Sequence, residues 1–230
     1  MIYPNLQSIE KLRSSIDSFG FGLLTDAIAP SLLERLQNEA TERSKGATFA
    51  EQSSGLAYRA SITSLGPCAR DFLGNPKMTD FLTSIFGGRF VLTEHRSCLT
   101  FYKTGDHLGP HLDKPAEECM VTIIVYLIAR GPVRDSDQTG LQLRVYGEEL
   151  TENPQAILTI PTTTGAIVLG RGSRIWHGRP SLQEGEFVAA LTGCYGNASA
   201  SDCGLCDTSL ESGVPGESGT AAMPMVGGVR

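Results

Sequence analysis

Apolar side chains recur at helical spacing in two places near the start of the chain. Ile9, Leu12, Ile16 and Phe19 form one stripe over residues 8–19, and Gly20 ends it. Residues 30–45 carry Leu32, Leu33 and Leu36 on one side, with Pro30 near the start and Gly46 closing the run. Between them Phe21-Gly22-Leu23-Leu24-Thr25 reads as a short strand. Neither stripe carries a group suited to chemistry, so both helices are predicted to pack on a sheet. Residues 56–62 read as a strand, and 69–86 as helix interrupted near Gly74-Asn75-Pro76, with Gly87-Gly88 as punctuation.

Beyond residue 88 the period changes to two. Phe90, Leu92, Cys98, Thr100 and Tyr102 alternate along 89–102, which predicts one long strand. Residues 120–128 are rich in β-branched side chains and predict a buried central strand. Residues 141–146 alternate Leu, Gln, Leu, Arg, Val, Tyr, and 157–160, 166–169 and 187–194 complete the set. Short strands between turns, after a helical start, predict a mainly β jelly roll rather than a parallel α/β sheet. The chain reads as a single domain with a helical/β supporting region packed on the core (1–88), a β core (89–195) and a Gly/Ser-rich tail (196–230) too poor in large apolar groups to fold alone.

Composition narrows the function. A net charge of −6 with no basic run argues against a nucleic-acid partner. No apolar stretch approaches the ~20 residues of a membrane span, and residues 1–6 lack the pattern of a signal peptide. The six cysteines are scattered, unlike a dense secreted scaffold, so a reducing cytoplasm is expected. The expected partner is a small molecule; composition assigns no oligomeric state.

The chemistry concentrates in Tyr102–Asp113. In an extended segment residues i and i+2 point to one side, so His111 and Asp113 converge on one ion while Leu112 faces away. His177, in Ile175-Trp176-His177-Gly178, is a third ligand candidate that only the fold could bring near, 64 residues beyond Asp113 (177 − 113). Two imidazoles and a carboxylate on one face of a metal are the ligand set of non-haem Fe(II) oxygenases. H-x-D alone is a weak signal: a surface pair after a turn and a core histidine beside Trp176 are the bland readings. His107 and His111 stand at i, i+4, but Gly105, Gly109 and Pro110 oppose a helix there.

The Tyr102–Asp113 run, the β run 120–128, the strand 164–169 and Trp176-His177 together resemble the Fe(II)/2-oxoglutarate-dependent oxygenases over residues 89–195. The resemblance implies a double-stranded β-helix core and His111, Asp113 and His177 as iron ligands. It also implies 2-oxoglutarate and O2 as cosubstrates. Related halogenases carry a small residue in place of the carboxylate, so Asp113 favours a hydroxylase. An aromatic hydroxyl upstream of the metal segment often contacts the cosubstrate in this family, which marks Tyr102, with Thr100 on the same strand parity. Tyr58 and Arg59 are weaker candidates for the pocket mouth, and Glu94, Arg96 and Glu118 for a zwitterionic substrate.

One part of the family pattern is missing. A basic residue usually follows the last histidine by about ten positions and binds the distal carboxylate of 2-oxoglutarate; here Glu184-Gly185-Glu186-Phe187-Val188 occupies that stretch. A dicarboxylate in a pocket needs a cation. Arg179 shares a side with His177 on a strand and is the first substitute. Arg144, flanked by Leu143 and Val145, would point into the pocket with Gln142 if that face is the interior. Arg171, Arg174 and Arg96 are further options. Cys203-Gly204-Leu205-Cys206 is a lone C-x-x-C, short of a four-ligand zinc site. The expected function is oxidation of a C–H bond in a small polar metabolite such as an amino acid, by hydroxylation or by desaturation or cyclisation. The alternatives are an Fe(II) oxygenase without 2-oxoglutarate and a non-catalytic metal-binding jelly roll.

Overall fold

The computed structural model describes residues 6–52, 57–135 and 138–198. Its first half runs α1 (Leu6–Phe19), β1 (Phe21–Leu24), α2 (Pro30–Ser44), β2 (Thr48–Gln52), β3 (Tyr58–Ser64), α3 (Pro67–Leu73), α4 (Pro76–Phe86) and β4 (Phe90–Leu92). The second half is β: β5 (Cys98–Tyr102), β6 (His107–His111), β7 (Val121–Arg130), β8 (Gln142–Gly147), β9 (Leu158–Pro161), β10 (Ile167–Gly170), β11 (Trp176–Arg179) and β12 (Phe187–Asn197). Gly20, at φ 78°, makes the turn from α1 into β1, a backbone conformation that side chains with a Cβ rarely adopt. Asn75 accepts from the Lys77 amide and caps α4, so the predicted break near Pro76 separates two helices.

The strands follow one antiparallel path, β1-β10-β7-β12-β5-β3-β6-β11-β8-β9, with β2 added on β3 and β4 on β12. Alternation along the strands sorts side chains into two cores. Ile123, Val125 and Leu127 of β7, Leu99 and Phe101 of β5, and Ala189 and Leu191 of β12 face α1, α2, α3 and α4. Their neighbours Tyr126, Tyr102, Val188 and Ala190 point the other way. There they meet Leu143 and Val145 of β8, Ile160 of β9 and Phe21 of β1. Strands from both ends of the path thus share one interior, so the sheet folds over on itself as a double-stranded β-helix. β3 is the strand over which it turns: Ser61–Ser64 pair with β5, while Tyr58 and Arg59 pair with β6.

Two sequence expectations change. The single strand predicted over 89–102 is split by a turn at Glu94–Arg96. There the Thr93 hydroxyl donates to the Glu118 carbonyl and the Ser97 hydroxyl to the Thr93 carbonyl, drawing the backbone out of the ladder. The supporting region also contributes ladder strands, since β1 pairs with β10 and β3 with β5. Most of the tail, with Cys203 and Cys206, lies outside the described residues. No described helix is long and apolar enough to cross a membrane.

Candidate metal centre

β6 and β11 are antiparallel neighbours, and their register sets His111 directly opposite His177. The rings lie 4.3 Å apart, and His177 also packs 4.8 Å from Phe21. Asp113, just past the end of β6, reaches between them. His111 Nε2 is 3.3 Å from Asp113 Oδ1, and His177 Nε2 is 3.7 Å from Oδ2. One ligand atom from each residue lies within 4.8 Å of the others, the spacing of a single ion's donors.

Hydrogen bonds behind these residues aim their free lone pairs. His111 Nδ1 donates to the Gly109 carbonyl at 3.1 Å and His177 Nδ1 to the Ile175 carbonyl at 2.9 Å. A carbonyl only accepts, so each Nδ1 carries the proton and each Nε2 presents a lone pair at Asp113. The Thr122 hydroxyl donates to Asp113 Oδ2, and the Asp113 amide donates to the Gly172 carbonyl. Gly172 has no room for a side chain, because a Cβ would fall on Asp113 Oδ2 and the Thr122 hydroxyl.

The protonation states suit a metal. Burial, with the neighbouring His111, pushes the His177 imidazole down to about 4, against the pull of Asp113 and the Ile175 carbonyl. Burial alone would raise the Asp113 carboxyl. The His177 and His111 imidazoles and the Thr122 hydroxyl outweigh it and hold the group well below the usual carboxylate range. Near neutrality the triad is therefore a carboxylate beside a neutral His177. That donor chemistry fits Fe(II) with open positions.

The triad opens into a cavity of about 270 Å³. Tyr102, Thr100, Tyr58, Leu108, Ile124, Leu143 and Arg179 also line it. Arg179 is 5% exposed. Its Nη1 donates to the Gly140 carbonyl at 3.1 Å and to the Thr162 hydroxyl at 3.0 Å, and its guanidinium lies over the Tyr102 and Tyr126 rings. Among the described residues no carboxylate pairs with it. Glu186, nine positions after His177 (186 − 177), is buried. Its carboxylate accepts from Thr139, the Gly140 amide and the Gln183 amide, fastening the loop whose carbonyl meets Arg179.

The remaining arginines are placed otherwise. Leu143, not Arg144, faces the cavity, so β8 presents the opposite face from the one that would direct Arg144 inward. Arg171 lies over the Phe86 ring. Arg96 reaches the cavity, with Glu118 holding it at 2.5 Å. Arg59 bonds Asp106 and Glu51 instead of entering.

Sequence reasoning passed over the roles of five residues. Thr122 and Gly172 hold Asp113, as described above. The Tyr126 hydroxyl is buried with no hydrogen-bond partner among the described residues. Cys119 and Cys194, treated as scattered thiols, form a disulfide in the cavity wall. Thr122 and Tyr126 stand an even number of residues apart on the inward face of β7. That polar period within a β-branched run was the signal available.

No family model and no curated protein matches the sequence. Solved structures match the fold. The non-haem α-ketoglutarate-dependent epimerase SnoN from nogalamycin biosynthesis aligns with a TM-score of 0.67 at 16% identity, over 90% of this chain and 93% of that one. The carbocyclase SnoK from the same biosynthesis gives 0.62 at 12% identity, over 85% of each chain. A Pseudomonas putida prolyl-4-hydroxylase gives 0.60 at 15% identity, over 83% of this chain and all of that one. At such identities the likeness establishes the fold, and the function rests on the site.

Proposed function

We propose that the protein is an Fe(II)- and 2-oxoglutarate-dependent oxygenase that oxidises a C–H bond of a small polar metabolite, with hydroxylation as the default outcome. One observation carries the reading. A metal-ready triad and a buried guanidinium that meets no carboxylate among the described residues open into the same cavity. 2-Oxoglutarate needs both, a metal for its keto acid end and a cation for its distal carboxylate. The likeness in fold to α-ketoglutarate-dependent enzymes supports the same choice.

His111, Asp113 and His177 would hold the iron. Bound there with 2-oxoglutarate and O2, it would supply the oxidant, with succinate and CO2 as co-products. Arg179 would receive the distal carboxylate; the Tyr126 ring lies against its guanidinium, and the Tyr126 hydroxyl, which has no partner among the described residues, would be a donor beside it. Tyr102 and Thr100 flank that path on β5. Leu108, Ile124 and Leu143 form an apolar wall. Arg96 and Lys114 also line the cavity, and their charges suit the carboxylate of an amino acid or derivative.

Anaerobic titration of the Fe(II)-loaded protein with 2-oxoglutarate tests the reading through the visible metal-to-ligand charge-transfer band. A saturating band, followed by succinate release on aeration, supports it. Bound iron without a band removes 2-oxoglutarate and leaves O2 uptake in its absence to be measured.

A further inference from the structure

Three sulfurs line the cavity: the Cys119–Cys194 disulfide and the free thiol of Cys98. The disulfide joins residues 75 apart in sequence, with Cα atoms 4.7 Å apart. Its position in the register is informative. Cys194 of β12 is the cross-strand partner of Thr122, whose hydroxyl holds Asp113. Cys119 lies between these two residues, at the end of the segment that leads from Asp113 into β7.

The other ties on that segment are weaker. The Glu118 carboxylate meets Arg96 and His95 at side chains that are 37% and 60% exposed, where solvent screening leaves an ion pair little stabilising effect. The Glu118 carbonyl accepts from Thr93. The disulfide is the buried, covalent tie: Cys119 is 2% exposed and Cys194 5%, and both face the cavity. A cavity of about 270 Å³ would admit a small thiol and exclude a protein oxidoreductase.

We propose that Cys119 and Cys194 form a thiol-modification site opening into this cavity, with a low-molecular-weight thiol as co-reactant, and that its redox state sets how firmly Asp113 is held for the metal. The second half rests on the metal reading above. In the forward reaction a thiolate attacks one sulfur of the disulfide, forming a mixed disulfide and expelling the other sulfur as thiolate. A second thiol then attacks the mixed disulfide. The sum is one protein disulfide and two thiols giving two protein thiols and one small-molecule disulfide. Cys98 does not compete: burial pushes its thiol up, so it stays protonated, and it contacts the Thr100 hydroxyl at 3.4 Å. In the reduced state the segment after Asp113 keeps its exposed ion pairs, the Thr93–Glu118 hydrogen bond and its own turn, but loses its covalent tie to β12. Disturbing groups that support a metal ligand costs about 10–100-fold in affinity, so Asp113 should hold metal about tenfold less tightly.

The test begins with metal-free protein purified without reductant and equilibrated in buffers of varied reduced-to-oxidised glutathione ratio. Alkylation and peptide mapping then follow the Cys119–Cys194 cross-link. Reversible interconversion is expected; absence of the cross-link at every ratio overturns the proposal. Next, Co(II) affinity is measured optically for the oxidised protein and for protein reduced with a phosphine that is then removed. Hydrogen exchange over residues 114–120 is measured in parallel. Reduction should weaken Co(II) about tenfold and speed exchange. Cys194→Ser and Cys119→Ser should match the reduced state whatever the buffer, and Cys68→Ser should respond as the parent does. Equal Co(II) affinity in both states overturns the coupling. A cross-link that interconverts in protein binding no Co(II) in either state refutes the metal reading and supports the thiol site.

Discussion

Replacing Arg179 by Met separates a ligand-binding arginine from a structural one. In the ligand-free protein the guanidinium is 5% exposed, donates to the Gly140 carbonyl and the Thr162 hydroxyl, and meets no carboxylate among the described residues. Removing it leaves those two acceptors unsatisfied, at about 1–3 kcal/mol. It also removes a buried charge whose desolvation costs several kcal/mol, and Met keeps much of the packing against Tyr102 and Tyr126. The two effects oppose, so urea unfolding of the metal-free variant should show unchanged or slightly higher stability. With 2-oxoglutarate bound the balance reverses, because a buried carboxylate loses its cation at about 3–5 kcal/mol. At 1.4 kcal/mol per factor of ten, affinity should fall at least ~100-fold. The assay is the charge-transfer titration of Fe(II)-loaded protein. A variant that loses several kcal/mol of stability yet binds 2-oxoglutarate within threefold of the parent would refute the reasoning and make Arg179 a core fastener.

Four further outcomes follow from the geometry. Tyr126→Phe deletes a buried hydroxyl that has no partner, so the metal-free protein should keep its stability or gain about 1 kcal/mol, while 2-oxoglutarate binding weakens; a clear loss of stability would mean that the hydroxyl is satisfied in solution. Thr122→Val keeps a β-branched side chain but removes the hydroxyl from Asp113, so metal affinity should fall about tenfold with an unchanged melt. Gly172→Ala places a methyl where Asp113 Oδ2 sits and should lose metal binding more severely than Thr122→Val; parental affinity would show that the loop yields freely. His177 has a folded-state value near 4, below its usual 6.5, so the unfolded chain takes up the proton first. Metal-free protein should therefore lose stability as pH falls through 6.5, by about 3 kcal/mol at pH 4; His177→Gln should remove that part of the slope, and an identical slope would contradict the assignment.

Much of the site was legible because strand geometry is local. The i, i+2 placement of His111 and Asp113 follows from extended backbone alone, β-branched residues marked β7, and period-two alternation marked β8. The side shared by His177 and Arg179 followed from the same rule, and both residues line the cavity. Local pattern is silent on which face of a strand is inside, since alternation reads the same with the faces exchanged. Arg144 and Leu143 were therefore equivalent until β8 was seen to turn Leu143 inward.

Everything that depended on pairing came from the tertiary structure. The register of β6 with β11 brings two histidines 66 positions apart (177 − 111) into ring contact. The pairing of β7 with β12 sets Thr122 against Cys194 and lets a disulfide form beside Asp113. Closure of the sheet buries Arg179 and the Tyr126 hydroxyl together. A residue's own chemistry and the direction of its side chain along a strand are properties of a few neighbouring positions. Its burial, its unmet hydrogen bonds and its partners belong to segments that meet only after the chain has folded.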